Sequence, residues 1–247
     1  MKQFITAAFF LLSFSLVFGQ GDVIKIKYKE TSFMPSNINI PPQFAQNMPK
    51  SWDSGKILYA SESKSLYVVN TEDAAPVEQN NMGRRFGPRG ANEVVYADFD
   101  IEFKYTFTEL FGKEFLVEDS LTTTPWKLHS GEQRDILGYN CVKATMQQDS
   151  TITTAWFSLA LPYSFGPAGY SGLPGTILAL TVNEDRVILA SSVDENPTTI
   201  PPFEKPKKGE KISRANFIKL SEEKRKEMQS MYGGGRGGQG GMIMIRN

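Results

Sequence analysis

The stretch Ile24-Lys25-Ile26-Lys27-Tyr28-Lys29 alternates apolar and charged side chains along its whole length. The run from Asp98 to Phe107 repeats this alternation, with a large apolar residue at every second position. Successive side chains of a β-strand point to opposite faces, so each run predicts a strand with one apolar and one solvent-facing side. Such strands are typical of antiparallel sheets that are covered on one face.

Further apolar runs are joined by short polar segments, and each pair of runs predicts a β-hairpin. The predicted pairs are Lys56–Ala60 with Ser65–Asn70, Leu110–Phe111 with Glu114–Val117, Cys141–Met146 with Ile152–Phe157, and Thr176–Val182 with Arg186–Ser192. The proline-rich segment Asn196–Gly209 predicts an extended tether. Apolar residues then recur near one face of Ser213–Met231, which predicts a helix. We therefore expect a mainly β protein, a curved antiparallel meander with a C-terminal helix.

The N-terminus has the features of an export signal. Lys2 precedes an almost wholly apolar run, Phe4–Phe18, and Gly19 is small enough to favour cleavage before Gln20. Residues 1–19 are therefore predicted to be a signal peptide, and we expect an exported protein that is periplasmic or associated with the outer membrane. No later apolar run is long enough to span a bilayer, so we expect no transmembrane span in the mature chain.

The rest of the chain is predicted to form one domain with two disordered parts. Residues 20–232 are long enough to build a single hydrophobic core. Within them, residues 71–92 are rich in Asn, Gly and Pro and lack an apolar period, which predicts a disordered loop. Residues 233–247 are predicted to be a disordered Gly-rich tail.

Charge and residue types give little support for catalysis. Lys plus Arg and Asp plus Glu both total 27, a balance that gives no basis for binding nucleic acid. A zinc site usually needs several His or Cys ligands, and a Ser-His-Asp triad needs a histidine beside one particular serine. The chain has a single histidine, His129, and a single cysteine, Cys141. We expect no catalytic residue, metal or cofactor, an exposed His129 at a strand end, and Cys141 buried within a strand.

The segment Leu161–Leu180 holds four glycines, three prolines and three aromatic residues, and it runs into an apolar strand. Proline fixes φ and glycine permits positive φ or close backbone approach, so this loop is predicted to have one conformation. Its aromatic side chains either line the mouth of an apolar cavity or plug the core of the protein. They are the candidate binding-mouth residues Tyr163, Phe165 and Tyr170.

The run Gly172-Leu173-Pro174-Gly175, continued by Thr176-Ile177-Leu178, resembles the signature of the GLPGLI family of exported bacterial proteins. The segments around Trp126, Ile136–Ala144 and Ala155–Phe157 fit the same series, whereas Thr176 stands where the motif has Leu. The family implies no settled activity. The four motif residues are expected to be structural, and Gly172, Pro174 and Gly175 are expected to act through backbone shape. The strand order also resembles lipoprotein-carrier-like half-barrels, in which a curved antiparallel sheet wraps around a helix. That resemblance implies an apolar hollow.

We therefore expect a non-catalytic envelope protein that binds a hydrophobic, lipid-like ligand or a protein partner. The alternative is an accessory protein of outer-membrane transport or assembly that has no small-molecule pocket. Bound lipid favours the first of these functions, and a stable protein partner favours the second.

Overall fold

The computed structural model describes residues 23–34, 49–72, 92–121, 125–183 and 185–233, except for the side chains of 228, 229 and 231–233. The predicted signal peptide, most of the loop at 71–92 and all but the first residue of the tail lie outside these ranges. The described strands are β1 Ile24–Phe33, β2 Ser51–Ala60, β3 Lys64–Val69, β4 Val94–Asp98, β5 Phe103–Leu110, β6 Lys113–Ser120, β7 Lys127–Ile136, β8 Tyr139–Gln148, β9 Thr151–Ser158, β10 Thr176–Val182, β11 Arg186–Asp194 and β12 Glu210–Ser213. A helix, α1, follows at Arg214–Gly233.

The strands form one open sheet built from two antiparallel meanders. The strand order is β12-β6-β5-β4-β3-β2-β1-β11-β10-β9-β8-β7. β1 pairs antiparallel with β11, which joins the N-terminal meander, β1 to β6, to the C-terminal meander, β7 to β11. β12 adds parallel to β6 at one edge. The prediction of a mainly β, antiparallel protein with a C-terminal helix is confirmed.

The sheet curves strongly around its interior. The loop between β9 and β10 places Phe165 in a stack on Phe99, which follows β4, with ring centroids 4.5 Å apart. Five strand spacings separate β10 from β4, or about 24 Å in a flat sheet. A loop contact across that distance requires the sheet to bend, so one face becomes a concave interior that holds most of the apolar core.

The outer face of the N-terminal meander is covered by residues 196–209, the predicted tether. Ile200 and Phe203 pack against Ile57 and Tyr59 of β2. Further along, the Lys205 ammonium lies 4.8 Å from the centroid of a tyrosine ring on β5. This proline-rich segment is extended, as predicted. It differs from a free tether because its apolar side chains pack on the sheet and bury the apolar residues of that face.

Helix α1 matches the helix predicted at Ser213–Met231 within two residues. It packs on β6 through Phe217, whose ring meets that of Phe115 edge-on at 5.7 Å. The lipoprotein-carrier-like resemblance implied a helix inside the sheet, whereas the β9–β10 loop occupies that place here. Among the described helices, none combines the length and apolar character needed to cross a bilayer.

The alternating run from Asp98 to Phe107 does not form one strand. β4 ends at Asp98, and residues 99–102 turn the chain into β5. The Asp98 carboxylate accepts the Asp100 backbone N–H at 3.0 Å, and Glu102 has φ +54°. An aspartate bonded to the backbone two residues later initiates a turn, and this local bond outweighs the alternation.

Candidate functional site

The β9–β10 loop, residues 159–175, folds into the concave interior and is called the plug here. Leu161, Phe165 and Leu173 each have 1% of their surface exposed and belong to the main core. Thr176 fixes the base of the plug, since its backbone N–H donates to the Leu161 carbonyl at 2.9 Å and its hydroxyl donates to the same carbonyl at 3.0 Å. The plug is therefore held by both apolar packing and hydrogen bonds to its own backbone.

Glycine is required at two of the motif positions for different reasons. A Cβ at Gly175 would lie 2.1 Å from the Ser158 carbonyl oxygen, so the two backbones can approach only without a side chain. Gly172 has φ +89°, a conformation that glycine adopts without strain, and its N–H donates to the Ser164 carbonyl at 3.1 Å. Between them, Leu173 is buried and Pro174 is exposed.

The three candidate binding-mouth aromatics occupy different environments. Phe165 lies in the core, whereas Tyr163 and Tyr170 are half-buried and pack against it. The Tyr170 ring lies 6.4 Å from that of Trp126, whose indole N–H donates to the Ser171 carbonyl at 2.9 Å. The structure brings Tyr163 and Tyr170 to the boundary of the core. Their role in ligand binding stays a prediction.

A second group of side chains was not anticipated from the sequence. It consists of five charged or polar residues that project into the concave interior, and it is called the ionic cluster here. Its members are Glu30 of β1, Lys56 of β2, Tyr67 of β3, Glu93 immediately before β4, and Arg186 of β11.

Arg186 links the two carboxylates of the ionic cluster. Its Nε lies 2.8 Å from Glu30 Oε1, and its Nη2 lies 3.8 Å from Glu93 Oε2. The Tyr67 hydroxyl donates to Glu30 Oε2 at 3.3 Å. The Lys56 ammonium lies 5.9 Å from the centroid of the Tyr67 ring. Two acids thus offset two bases, which is the arrangement that buried charges need.

Burial shifts the protonation of this cluster. Burial raises the pKa of Glu93, although Arg186 and Lys56 oppose that shift. Burial lowers the pKa of Lys56 against the opposing effect of Glu30. For Arg186, burial alone would lower the pKa, but the hydrogen bond to Glu30 raises it, so the guanidinium stays charged. The Nη2 of Arg186 makes no hydrogen bond to any described residue.

Two members of the ionic cluster have almost no contact with solvent, since Glu30 is 2% exposed and Lys56 is fully buried. The side chains of Arg186 and Glu93 are 25% and 19% exposed. Perturbed acids and bases mark active sites, but structural ion-pair networks perturb them as well. A substrate cannot reach the Glu30 carboxylate or the Lys56 ammonium without displacing other parts of the fold.

The other titratable candidates are separate from this cluster. Cys141 is buried within β8, as predicted, and burial raises its pKa to about 11. His129 was expected to be exposed at a strand end, but it lies within β7 with its side chain 25% exposed and its Nε2 2.8 Å from the Thr145 hydroxyl. Across the described ranges, no group of three or more His, Cys, Asp and Glu side chains could hold a metal ion.

The phase of the alternation was the signal that could have revealed the ionic cluster. Glu30 continues the buried series of β1, which is Ile24, Ile26 and Tyr28. Lys56, Glu93 and Arg186 likewise stand two positions before buried residues of β2, β4 and β11. A charged residue in phase with an apolar row faces the core, and this feature recurs in β1, β2 and β11 and immediately before β4.

Comparison with protein families gives a partial match. A family model described as "Protein of unknown function (Porph_ging)" matches residues 146–179, a stretch that includes the Gly172–Gly175 motif. It covers too little of the chain to assign the protein to that family. The GLPGLI resemblance therefore remains an inference from the motif. No curated protein matches the chain.

Solved structures match a larger part of the chain than the family model does. The structure of PNGF-II in space group P21 matches with a TM-score of 0.52 and 17% identity over 83% of this chain. PNGF-II in space group C2 matches with a TM-score of 0.52 and 16% identity over the same share. The match spans only 34% of the PNGF-II chain. At this identity, the likeness extends to the fold alone.

Proposed function

We propose that the protein is a non-catalytic binding protein of the cell envelope that holds a protein partner on its outer surface. The observation that carries this proposal is the position of Phe165, which is 1% exposed and stacked on Phe99 inside the curved sheet. A fold that held an apolar ligand would need that space empty, because ligand pockets bury most of the surface of their ligand. The plug fills it with the protein's own side chains.

The ionic cluster gives the proposal further support. Acids and bases that served catalysis would have to meet a substrate at hydrogen-bond distance. Glu30 and Lys56 are closed off from solvent and are engaged with Arg186 and Tyr67. The cluster therefore acts as a structural anchor for the strands that carry it.

The cellular location is part of the same proposal. The apolar run Phe4–Phe18 after Lys2 favours export, and the Gly172–Gly175 motif favours membership of the GLPGLI family. An envelope protein whose described interior is filled by the plug fits the role of an accessory or interaction protein better than that of a lipid carrier.

A fatty-acid titration tests the filled interior. The mature protein is mixed with cis-parinaric acid, whose fluorescence increases in an apolar cavity, and a known fatty-acid carrier serves as the positive control. We expect no saturable increase with the wild type. Stoichiometric uptake by the wild type that is lost in Tyr170→Ala would show a ligand mouth at the plug and would overturn the proposal.

A further inference from the structure

Strand β4 is joined to the C-terminal meander at both of its ends. After β4, Phe99 stacks on Phe165 of the plug. Before β4, the Glu93 carboxylate faces the guanidinium of Arg186, the first residue of β11, with Oε2 and Nη2 3.8 Å apart. Three strands lie between β4 and β11, a separation of about 19 Å in a flat sheet. The ion pair therefore closes the concave interior at the end away from the Phe99 stack, which is called the far end here.

The two contacts of β4 differ in how completely they exclude water. Phe165 is 1% exposed. At the far end, the side chains of Arg186 and Glu93 are 25% and 19% exposed. The Nη2 atom of Arg186 is buried, yet it makes no hydrogen bond to any described residue. Local opening concentrates where buried apolar contact is sparse, so the far end is the weaker of the two attachments.

Two carboxylates share Arg186, but they are bonded unequally. Glu30 accepts a hydrogen bond from Arg186 Nε at 2.8 Å and another from the Tyr67 hydroxyl at 3.3 Å. Among the described side chains, the basic nitrogen nearest to Glu93 is Arg186 Nη2, and its 3.8 Å distance is too long for a hydrogen bond. Hydrogen bonds stabilise an ionised carboxylate, whereas burial and a nearby like charge destabilise it. The geometry therefore stabilises the charge of Glu30 much better than that of Glu93.

Ionisable side chains face Glu93 from the elements packed around it. They are Glu30 of β1, Lys56 of β2, Tyr67 of β3, Arg186 of β11 and Arg214, the first residue of α1. Burial raises the pKa of Glu93 and the charge of Glu30 raises it further, whereas the three cations lower it without cancelling the effect of burial. The closed arrangement thus binds the proton of Glu93 more tightly than solvent-exposed chain does. Closure is therefore favoured as pH falls and disfavoured as pH rises.

We propose that the contact between Glu93 and Arg186 is a pH-sensitive latch at the far end of the interior. With Glu93 protonated, the start of β4 stays against Arg186. With Glu93 ionised, its carboxylate moves into solvent and the start of β4 separates from β11, while Glu30 holds Arg186 and the plug holds the other end of β4. The latch is independent of the proposed function, because it concerns when the interior opens and not what the outer surface binds.

Double electron–electron resonance between pairs of nitroxide labels tests the latch. One pair spans the far end, through Phe111→Cys in the β5–β6 turn and Asp185→Cys just before β11. The other pair spans the plug end, through Ile101→Cys and Leu159→Cys. All four positions are exposed, whereas the native Cys141 is buried. The far-end pair should show one distance at about pH 5 and a second, longer distance at about pH 8, and the plug-end pair should show one distance at both.

Two substitutions assign the response to its residue. Glu93→Gln keeps a neutral side chain of nearly the same shape, so the far-end pair should show the short distance alone at both pH values. Glu114→Gln removes an exposed acid at the same end of the sheet and should leave the wild-type response unchanged.

Three results would overturn the latch. The first is a far-end distance in the wild type that is the same at both pH values. The second is a Glu93→Gln protein that still shows the longer distance at the higher pH. The third is a lengthening of both label pairs as pH rises, which would show a general loosening of the sheet.

Discussion

The interior of the curved sheet has two parts that are stabilised in different ways. Around the plug, Phe165 and its neighbours fill space by shape, and glycine permits the close backbone contact at Gly175. In the ionic cluster, buried Glu30 and partly buried Arg186 form an ion pair between the adjacent strands β1 and β11. We expect the first part to lose stability when its packing is disturbed and the second to lose stability when one charged partner is removed. Variants of each part can therefore measure how much packing and charge pairing each contribute to the free energy of unfolding.

The largest effect is expected from opening the plug. Phe165→Ala removes a buried ring and its stack on Phe99, so we expect a loss of about 4 kcal/mol in the free energy of unfolding. Urea unfolding followed by circular dichroism measures it. Phe111→Ala, which truncates an exposed ring, serves as the control and should change stability by less than about 0.5 kcal/mol. A Phe165→Ala protein as stable as the control would mean that the plug does not fill the core.

The next effect is expected from breaking the charge pair. Glu30→Gln removes the nearer of two carboxylates from the partly buried Arg186 guanidinium and leaves Glu93 at 3.8 Å, and we expect a loss of about 3 kcal/mol by the same assay. Glu132→Gln removes an exposed partner of Lys143 and should have a much smaller effect. If both variants unfold at the same urea concentration as wild type, the ionic cluster does not anchor the strands.

A smaller effect is expected at the close backbone contact. Gly175→Ala forces Ser158 and the plug apart, and overpacking of this kind costs about 2 kcal/mol. Gly131→Ala in β7 is the matched control, since a Cβ there has open space around it. Thermal melts should show a lower Tm for Gly175→Ala only. An unchanged Tm would show that the motif glycine is not needed for close approach.

The smallest effect concerns pH and Glu93. Because burial raises the pKa of Glu93 in the folded state above its usual value near 4.5, folding takes up a proton between the two values. The contribution of Glu93 to stability therefore rises as pH falls from neutral towards 4.5. Relative to Glu93→Gln, the wild type should gain stability over that window. Unfolding midpoints of both proteins across the pH range measure it, and parallel pH profiles would contradict the burial of this carboxyl.

The elements that could be predicted from sequence were those set by local pattern. The hairpins and α1 follow from alternation and periodicity in short windows. Phe99–Glu102 was mispredicted because one side-chain bond from Asp98 ends the strand. The two-meander topology depends on the pairing of β1 with β11, which lie more than 150 residues apart, and no local pattern reports such a pairing.

The plug and the ionic cluster also differ in how far the sequence predicted them. The plug was visible as a motif, but the sequence left open whether its aromatics face a ligand or the core. The ionic cluster assembles from five separate segments. Its members were visible one at a time, as charged residues in phase with buried ones, but their convergence depends on register and curvature.

Native mass spectrometry of the protein purified from its own envelope tests the central claim most directly, because it reports bound lipid and bound protein together. The account predicts the mature chain with a protein partner and without a stoichiometric lipid, since the plug fills the interior. A lipid adduct at one copy per chain, retained under conditions that strip surface lipid, would contradict the account.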